Sequence, residues 1–185
     1  AILVISSGQN ESDIFEILEN IKPVRGRMEL AATKNNGATI YVDYAHTPDA
    51  IEVALKSLKP HILGKLLVII GAGGERDEGK RPLMGAAAEK NSDFVIITDD
   101  NPRNENPSVI HQMIKNGIQD DSKVMVIADR AEAILKAVYL LEEGDGLLIA
   151  GKGHETEQVI GENNFPFDDF EQASLSVASL DGIEQ

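Results

Sequence analysis

Two acids, an amide and a guanidinium stand together in Asp99-Asp100-Asn101-Pro102-Arg103, directly after the apolar run Phe94-Val-Ile-Ile-Thr98. Such a run reads as a buried parallel strand, and ligands of open α/β sheets bind beyond the carboxyl ends of the strands. An acid and an Arg a few residues apart cannot both serve one simple anion. They suit a zwitterion, with Arg103 forking onto a carboxylate and Asp100 accepting from an ammonium. The same residues also fit a solvated acidic turn in which Asp and Arg pair with each other.

Two glycine-bearing loops hold comparable positions. Gly71-Ala-Gly-Gly74 follows an apolar run, with Arg76, Lys80 and Arg81 just beyond it. A dinucleotide fingerprint needs glycine at its first, third and sixth positions, so that backbone amides reach a pyrophosphate at a helix start. Arg76 holds the sixth position here, so the loop reads as anion-receiving, or as a flexible surface loop of mixed charge. Gly151-Lys-Gly-His-Glu155 follows a second apolar run. Its glycines let backbone approach a ligand closely, and Glu155 can take an ammonium. His154 reads as a turn residue bonded to backbone in preference to a base. The phosphate-loop pattern GxxxxGK[ST] occurs nowhere in the chain. In Asp43-Tyr-Ala-His46, Asp43 can accept from a ribose hydroxyl and His46 can contact a phosphate or base. Helix capping and core hydrogen bonding explain those two residues equally well.

The elements that must position these loops are legible from period and punctuation. Ile14, Phe15, Ile17, Leu18 and Ile21 are helical in spacing, and that helix stops at Lys22-Pro23. Asn35-Asn36-Gly37 between two β-like runs predicts a hairpin, its second strand over 39–43. Thr47 as cap and Pro48 at the first position start a helix over 48–59. Strands are expected over 65–70, 93–98, 123–128 and 146–150. Pro82 opens a helix to residue 90, Asn106-Pro107 one to 118, and Asp129 caps one to 141. Asn163-Asn164 is expected to turn a small hairpin, before a last helix over 170–180. Four strands alternating with helices imply parallel βαβ units with right-handed crossovers. The expected fold is α/β: a Rossmann-like, doubly wound, mostly parallel sheet with flanking helices and an N-terminal β-hairpin. The loops after its strands should converge on one edge.

Composition narrows the partners. The 185 residues can bury one sizeable core, and 42% apolar with 26% charged residues is ordinary for a soluble domain. Seventeen basic against 31 acidic residues give a net charge of −14, which disfavours nucleic acid. No apolar run approaches the roughly 18 residues of a membrane span. With no cysteine, disulfides and thiolate metal sites are excluded, and a reducing cytoplasm is compatible. Four histidines, none at i, i+4 spacing, make a zinc site improbable, so no metal site is expected. A start at Ala1 with no charged flank is not a secretory signal and reads as the cut end of a longer protein.

Seven stretches, in order, resemble the Mur ligases, in the branch that adds 2,6-diaminopimelate to UDP-N-acetylmuramoyl-L-alanyl-D-glutamate. They are Gly26-Arg-Met-Glu29, Val42-Asp-Tyr-Ala-His-Thr-Pro-Asp49, Gly73-Gly-Glu-Arg-Asp77, Gly79-Lys-Arg-Pro-Leu-Met-Gly85, Asp99 to Arg103, Asp129-Arg-Ala-Glu-Ala-Ile134 and Gly151 to Glu155. The resemblance implies ATP-dependent amide formation in peptidoglycan-precursor synthesis in the cytoplasm. It implies that residues 29–185 are the C-terminal, amino-acid-binding domain, with residues 1–28 the tail of a central ATPase domain and linker. Arg76, Asp100, Asn101, Pro102, Arg103, Gly151 and Glu155 would hold meso-diaminopimelate. Arg103 would separate it from lysine, since lysine-adding relatives typically lack an Arg there. Arg27 and Asp43, with His46, would contact ATP; ATP and Mg2+ would be held mainly by the central domain, and the UDP-sugar dipeptide by domains outside this chain. No catalytic residue is assigned within the chain, which alone would neither hydrolyse ATP nor complete the ligation. Pro23-Val-Arg-Gly replaces the family's usual Val-Pro-Gly, and Ala72 a frequent Cys. Two further readings stand beside this one: a nucleotide-cofactor domain of an oxidoreductase, and a non-catalytic amino-acid-binding module.

Overall fold

The computed structural model describes residues 24–183. The helix expected over 14–21 lies outside the described residues. Strands β1 (Glu29–Thr33) and β2 (Thr39–Asp43) form the Asn-Gly hairpin. Helix α1 (Pro48–Leu58) follows, its Thr47 side chain capping the Ala50 N–H. Next come β3 (Leu66–Ile70), α2 (Lys80–Asn91), β4 (Phe94–Ile97), α3 (Pro107–Lys115), β5 (Val124–Val126), α4 (Arg130–Leu140) and β6 (Gly146–Ala150). A small antiparallel pair, β7 (Glu157–Ile160) and β8 (Asn163–Pro166), precedes α5 (Asp169–Ile183).

The sheet has six strands in the order β1-β2-β6-β3-β4-β5, parallel except for the β1 edge. Alternation along each strand splits the core in two. Leu66, Val68 and Ile70 face a layer built by α1, α2 and α3, with Leu55, Met84 and Ile110. Leu67 and Ile69 face α4 and α5, with Ile134, Val138 and Ala173. All five residues of β3 and of β6 are buried, as strands covered on both faces require.

The expected N-terminal hairpin is present, and its strand β2 also pairs in parallel with β6, which extends the main sheet. Two expectations are corrected. Helix α2 begins at Lys80, not Pro82. Lys80 and Arg81 are tied into the body by bonds to the His46 and Gly73 carbonyls, so the first turn extends back past the proline. A proline in the first turn sacrifices no helical hydrogen bond. The second hairpin turns at Gly161-Glu162, where Gly161 takes the positive φ of 60°, and Asn163 already starts β8.

Candidate functional site

The position of the site follows from topology. Strands β3 and β6 are neighbours, yet α2 after β3 covers one face and α5 after β6 covers the other. Their carboxyl ends therefore diverge and leave a crevice. A cavity of about 190 Å³ lies there. The structure brings Arg76, Asp100, Asn101, Arg103, Gly151 and Glu155 to its wall, together with His46 from beyond β2. Arg76 is exposed, whereas Asp100 and Asn101 are buried.

The acidic side of the cavity rests on a buried polar cluster. Asn101 Nδ2 donates to Glu155 Oε2 at 2.9 Å, and Asn101 Oδ1 accepts from Lys152 Nζ at 3.0 Å and from the Val159 N–H at 2.9 Å. Two donors on Oδ1 and a carboxylate on Nδ2 admit only one orientation of that amide. Lys152 Nζ also lies 3.4 Å from Glu155 Oε2. Burial pushes the Asp100 carboxyl above the usual carboxylate range, against the pull of Arg130 and Lys152. Arg130 is itself buried, which opposes its charge, but the Asp169 carboxylate outweighs that and keeps it firmly protonated. Its guanidinium forks onto Asp169 at 2.7 and 2.8 Å and donates to the Asp99 and Ala150 carbonyls. One side chain thereby ties α4, α5 and the ends of β4 and β6 together.

Arg103 is held in an unusual backbone state. Its φ is +52°, a region that costs a non-glycine residue roughly 1–2 kcal/mol. The β7–β8 hairpin compels it: the Arg103 N–H donates to the Val159 carbonyl at 3.0 Å and the Arg103 carbonyl accepts from the Gly161 N–H at 2.8 Å. The guanidinium donates through Nη1 to the Gly74 carbonyl at 2.9 Å, and its Nε and Nη2 have no protein partner among the described residues. An arginine with unspent donors therefore lines the same cavity as the Asp100 and Glu155 side chains.

The glycines admit close approach between neighbouring loops. A Cβ at Gly74 would lie 1.9 Å from the Pro102 carbonyl oxygen, and one at Gly71 would lie 2.7 Å from that of Thr98. These residues let the 71–74 and 98–103 loops touch. Gly151, at φ +121°, likewise admits the Asp100 carboxylate, 2.7 Å from where its Cβ would stand. Pro102 is buried in that loop contact and does not line the cavity.

Asp99, Asp43, Arg27 and His154 are placed apart from the cavity, whereas His46 lines it. Asp99 turns away, its Oδ1 2.6 Å from His111 Nε2 on α3. Asp43 accepts the Met28 N–H at 2.7 Å on one oxygen and the Ala45 N–H at 2.8 Å on the other. Arg27 is exposed and stacks 4.8 Å from the centre of the Tyr44 ring, a cavity residue. His154 is exposed beside the same ring at 5.2 Å. His46 Nδ1 lies 2.8 Å from the Tyr44 carbonyl. Among the described residues no group of three or more His, Asp or Glu side chains is placed to hold a metal ion. Nor is any described helix long and apolar enough to cross a membrane. Sequence reasoning missed Lys152 and Arg130. The available signal was a lysine two residues beyond a fully apolar strand, and an arginine following the cap of α4 on that helix's buried face.

Known proteins share this arrangement. A family model described as Mur ligase, glutamate ligase domain matches residues 26–153. A UDP-N-acetylmuramoyl-L-alanyl-D-glutamate–2,6-diaminopimelate ligase from Bradyrhizobium diazoefficiens is 48% identical over 177 residues, 96% of this chain and 36% of the relative. A solved structure of a ligase bearing that same name superposes with a TM-score of 0.80 at 37% identity, over 97% of this chain and 37% of that one. A bifunctional folylpolyglutamate and dihydrofolate synthase from Yersinia pestis, solved with AMPPNP and a Mn ion, gives a TM-score of 0.55. At 14% identity, over 85% of this chain and 32% of that one, it shares the fold alone. The chain spans little more than a third of the length of the two ligases. By its sequence from Gly26 onward and its α/β sandwich, it belongs to the Mur ligase family, as a glutamate ligase domain.

Proposed function

We propose that this chain is the amino-acid-receiving domain of a cytoplasmic, ATP-dependent ligase that adds meso-2,6-diaminopimelate to UDP-N-acetylmuramoyl-L-alanyl-D-glutamate. Residues 29–185 form that domain in this reading, and residues 1–28 join it to a preceding ATPase domain. The observation that carries it is the polarity of the strand-end cavity: cationic at Arg103 and Arg76, anionic at Asp100 and Glu155. Diaminopimelate carries a complete zwitterion at its far end, whereas lysine offers only an ammonium there. Arg103 takes the distal carboxylate through Nε and Nη2, and Asp100 and Glu155 take the distal ammonium. Asn101, Pro102 and Gly151 set the wall that presents them.

Held by its far end, the substrate points its other amine out of the cavity toward an activated glutamate carboxylate. Such orientation contributes several kcal/mol to a bimolecular step. ATP supplies the phosphoryl group that activates the glutamate. The residues near β2 fit a nucleotide: Arg27 is an exposed cation braced on Tyr44, and each Asp43 oxygen keeps a lone pair for a ribose hydroxyl. His46 borders the same side. Mg2+ is assigned to the preceding domain, and so is the UDP-sugar dipeptide.

The test is Arg103→Ala in the complete ligase. The KM for meso-diaminopimelate rises roughly 10- to 100-fold, the loss of a charged hydrogen-bonding partner, while the KM for ATP stays the same. An unchanged KM for diaminopimelate, or wild-type use of lysine at equal efficiency, would overturn the assignment.

A further inference from the structure

We infer that Lys152 is a positioning residue for recognition of the substrate's distal ammonium: it never touches the ligand, but locks Asn101 and Glu155 and balances the carboxylates that do. The inference rests on the proposed reading of the cavity and adds a determinant behind its wall.

Lys152 is 0% exposed, and a lysine is almost never buried that far unless it is paired. Its ammonium spends its donors on Asn101 Oδ1 and Glu155 Oε2, and it does not line the cavity. With Oε2 occupied, Glu155 keeps Oε1 without a protein partner among the described residues, on a side chain that does line the cavity.

Asp100, Glu155 and Asp169 lie in one electrostatic cluster with Arg130 and Lys152, and both cations favour the ionised form of Asp100. Arg130 is committed to Asp169 by two short bonds, whereas Lys152 bonds Glu155 itself. Loss of Lys152 removes a cation that favours the ionised carboxylates, and a protonated carboxyl faces an ammonium with a donor. Asn101 would also be released to turn.

The experiment uses the complete ligase with three amine substrates. 2-Aminopimelate keeps the distal carboxylate and lacks its amine, lysine keeps the amine and lacks the carboxylate, and meso-diaminopimelate has both. Lys152→Gln retains a donor toward Asn101 and removes the charge. Its expected signature is a KM for meso-diaminopimelate raised roughly 10- to 100-fold, with kcat and the KM for 2-aminopimelate little changed. The preference for the distal amine then collapses by the same factor. Lys152→Met shows the same collapse at a larger loss of thermal stability; if it does not fold, Lys152→Gln decides alone. Equal weakening of diaminopimelate and 2-aminopimelate would make Lys152 a structural residue and overturn the inference, as would tighter diaminopimelate binding. A wild-type enzyme indifferent among the three substrates would instead overturn the reading of the cavity itself, and the inference with it.

Discussion

Asp100 shows how a carboxyl at the cavity wall is held at a cost to the fold. Its carboxyl is buried, and desolvation raises its pKa against the pull of Arg130 and Lys152. A carboxyl whose folded pKa lies above its unfolded value destabilises the protein when ionised. That cost is absent below the ordinary value of 3.8 and grows as pH rises through the raised folded value. Asp100→Asn is therefore expected to raise Tm at neutral pH while weakening meso-diaminopimelate binding, and the gain in Tm should vanish in acid. Thermal scans across pH check this; a neutral-pH Tm lower than that of the unsubstituted protein would contradict it. The substitution separates affinity from stability in a single side chain. Of the charged residues in this neighbourhood, Asp100, Arg103 and Glu155 were legible as site candidates because strand-end position marks them. Lys152 was not, since a lysine between two glycines reads locally as a solvated turn.

Among the elements, the β7–β8 hairpin has an importance that its size conceals. Every residue of β8 is exposed, so the pair contributes little to the core. Its backbone nevertheless holds the Arg103 loop, through the Val159 and Gly161 bonds and a parallel bridge between Arg103 and Ile160. Gln158 Nε2 adds a bond to the Asp100 carbonyl at 2.9 Å. Val159→Pro removes the N–H that fixes Asn101 Oδ1 and leaves every cavity-lining side chain unsubstituted. The expected result is a KM for meso-diaminopimelate raised roughly tenfold, the worth of one hydrogen bond in a polar network, with little change in Tm. A fall in Tm without a change in KM would show that the hairpin serves the fold alone. The helices divide differently: Thr47, Asn106 and Asp129 each cap a helix as their types and positions predicted. Caps are read within one turn of chain. The docking of a hairpin on a distant loop is not.

Across the whole molecule, stability is graded from the sheet centre outward. Strands β3 and β6 are flanked by neighbours on both sides and covered on both faces, while β8 is exposed throughout. Amide exchange at Val68, Ile69, Leu148 and Ile149 should proceed only through global unfolding. Exchange at Arg103, Val159 and Gly161 should be much faster in the free protein and slow selectively when meso-diaminopimelate is added. Uniform slowing across the sheet, or none at the hairpin, would count against a ligand that engages the strand-end loops.

The amino-acid sequence by itself determined the alternation of strands and helices, the caps and the strand ends at which chemistry could gather. Those properties depend on periodicity and on neighbours within a turn or two. It also placed an acid, an amide and a guanidinium together at a strand end, because Asp100, Asn101 and Arg103 are near neighbours in the chain. Only the tertiary structure decided that β2 joins the main sheet beside β6, that glycines 71 and 74 admit a neighbouring loop, and that a buried lysine supports the anionic wall. Asn101 and Lys152 are 51 residues apart. Their meeting requires β4 and β6 to be set on either side of β3 in one sheet, and strand order is a property of long-range packing that no local pattern encodes.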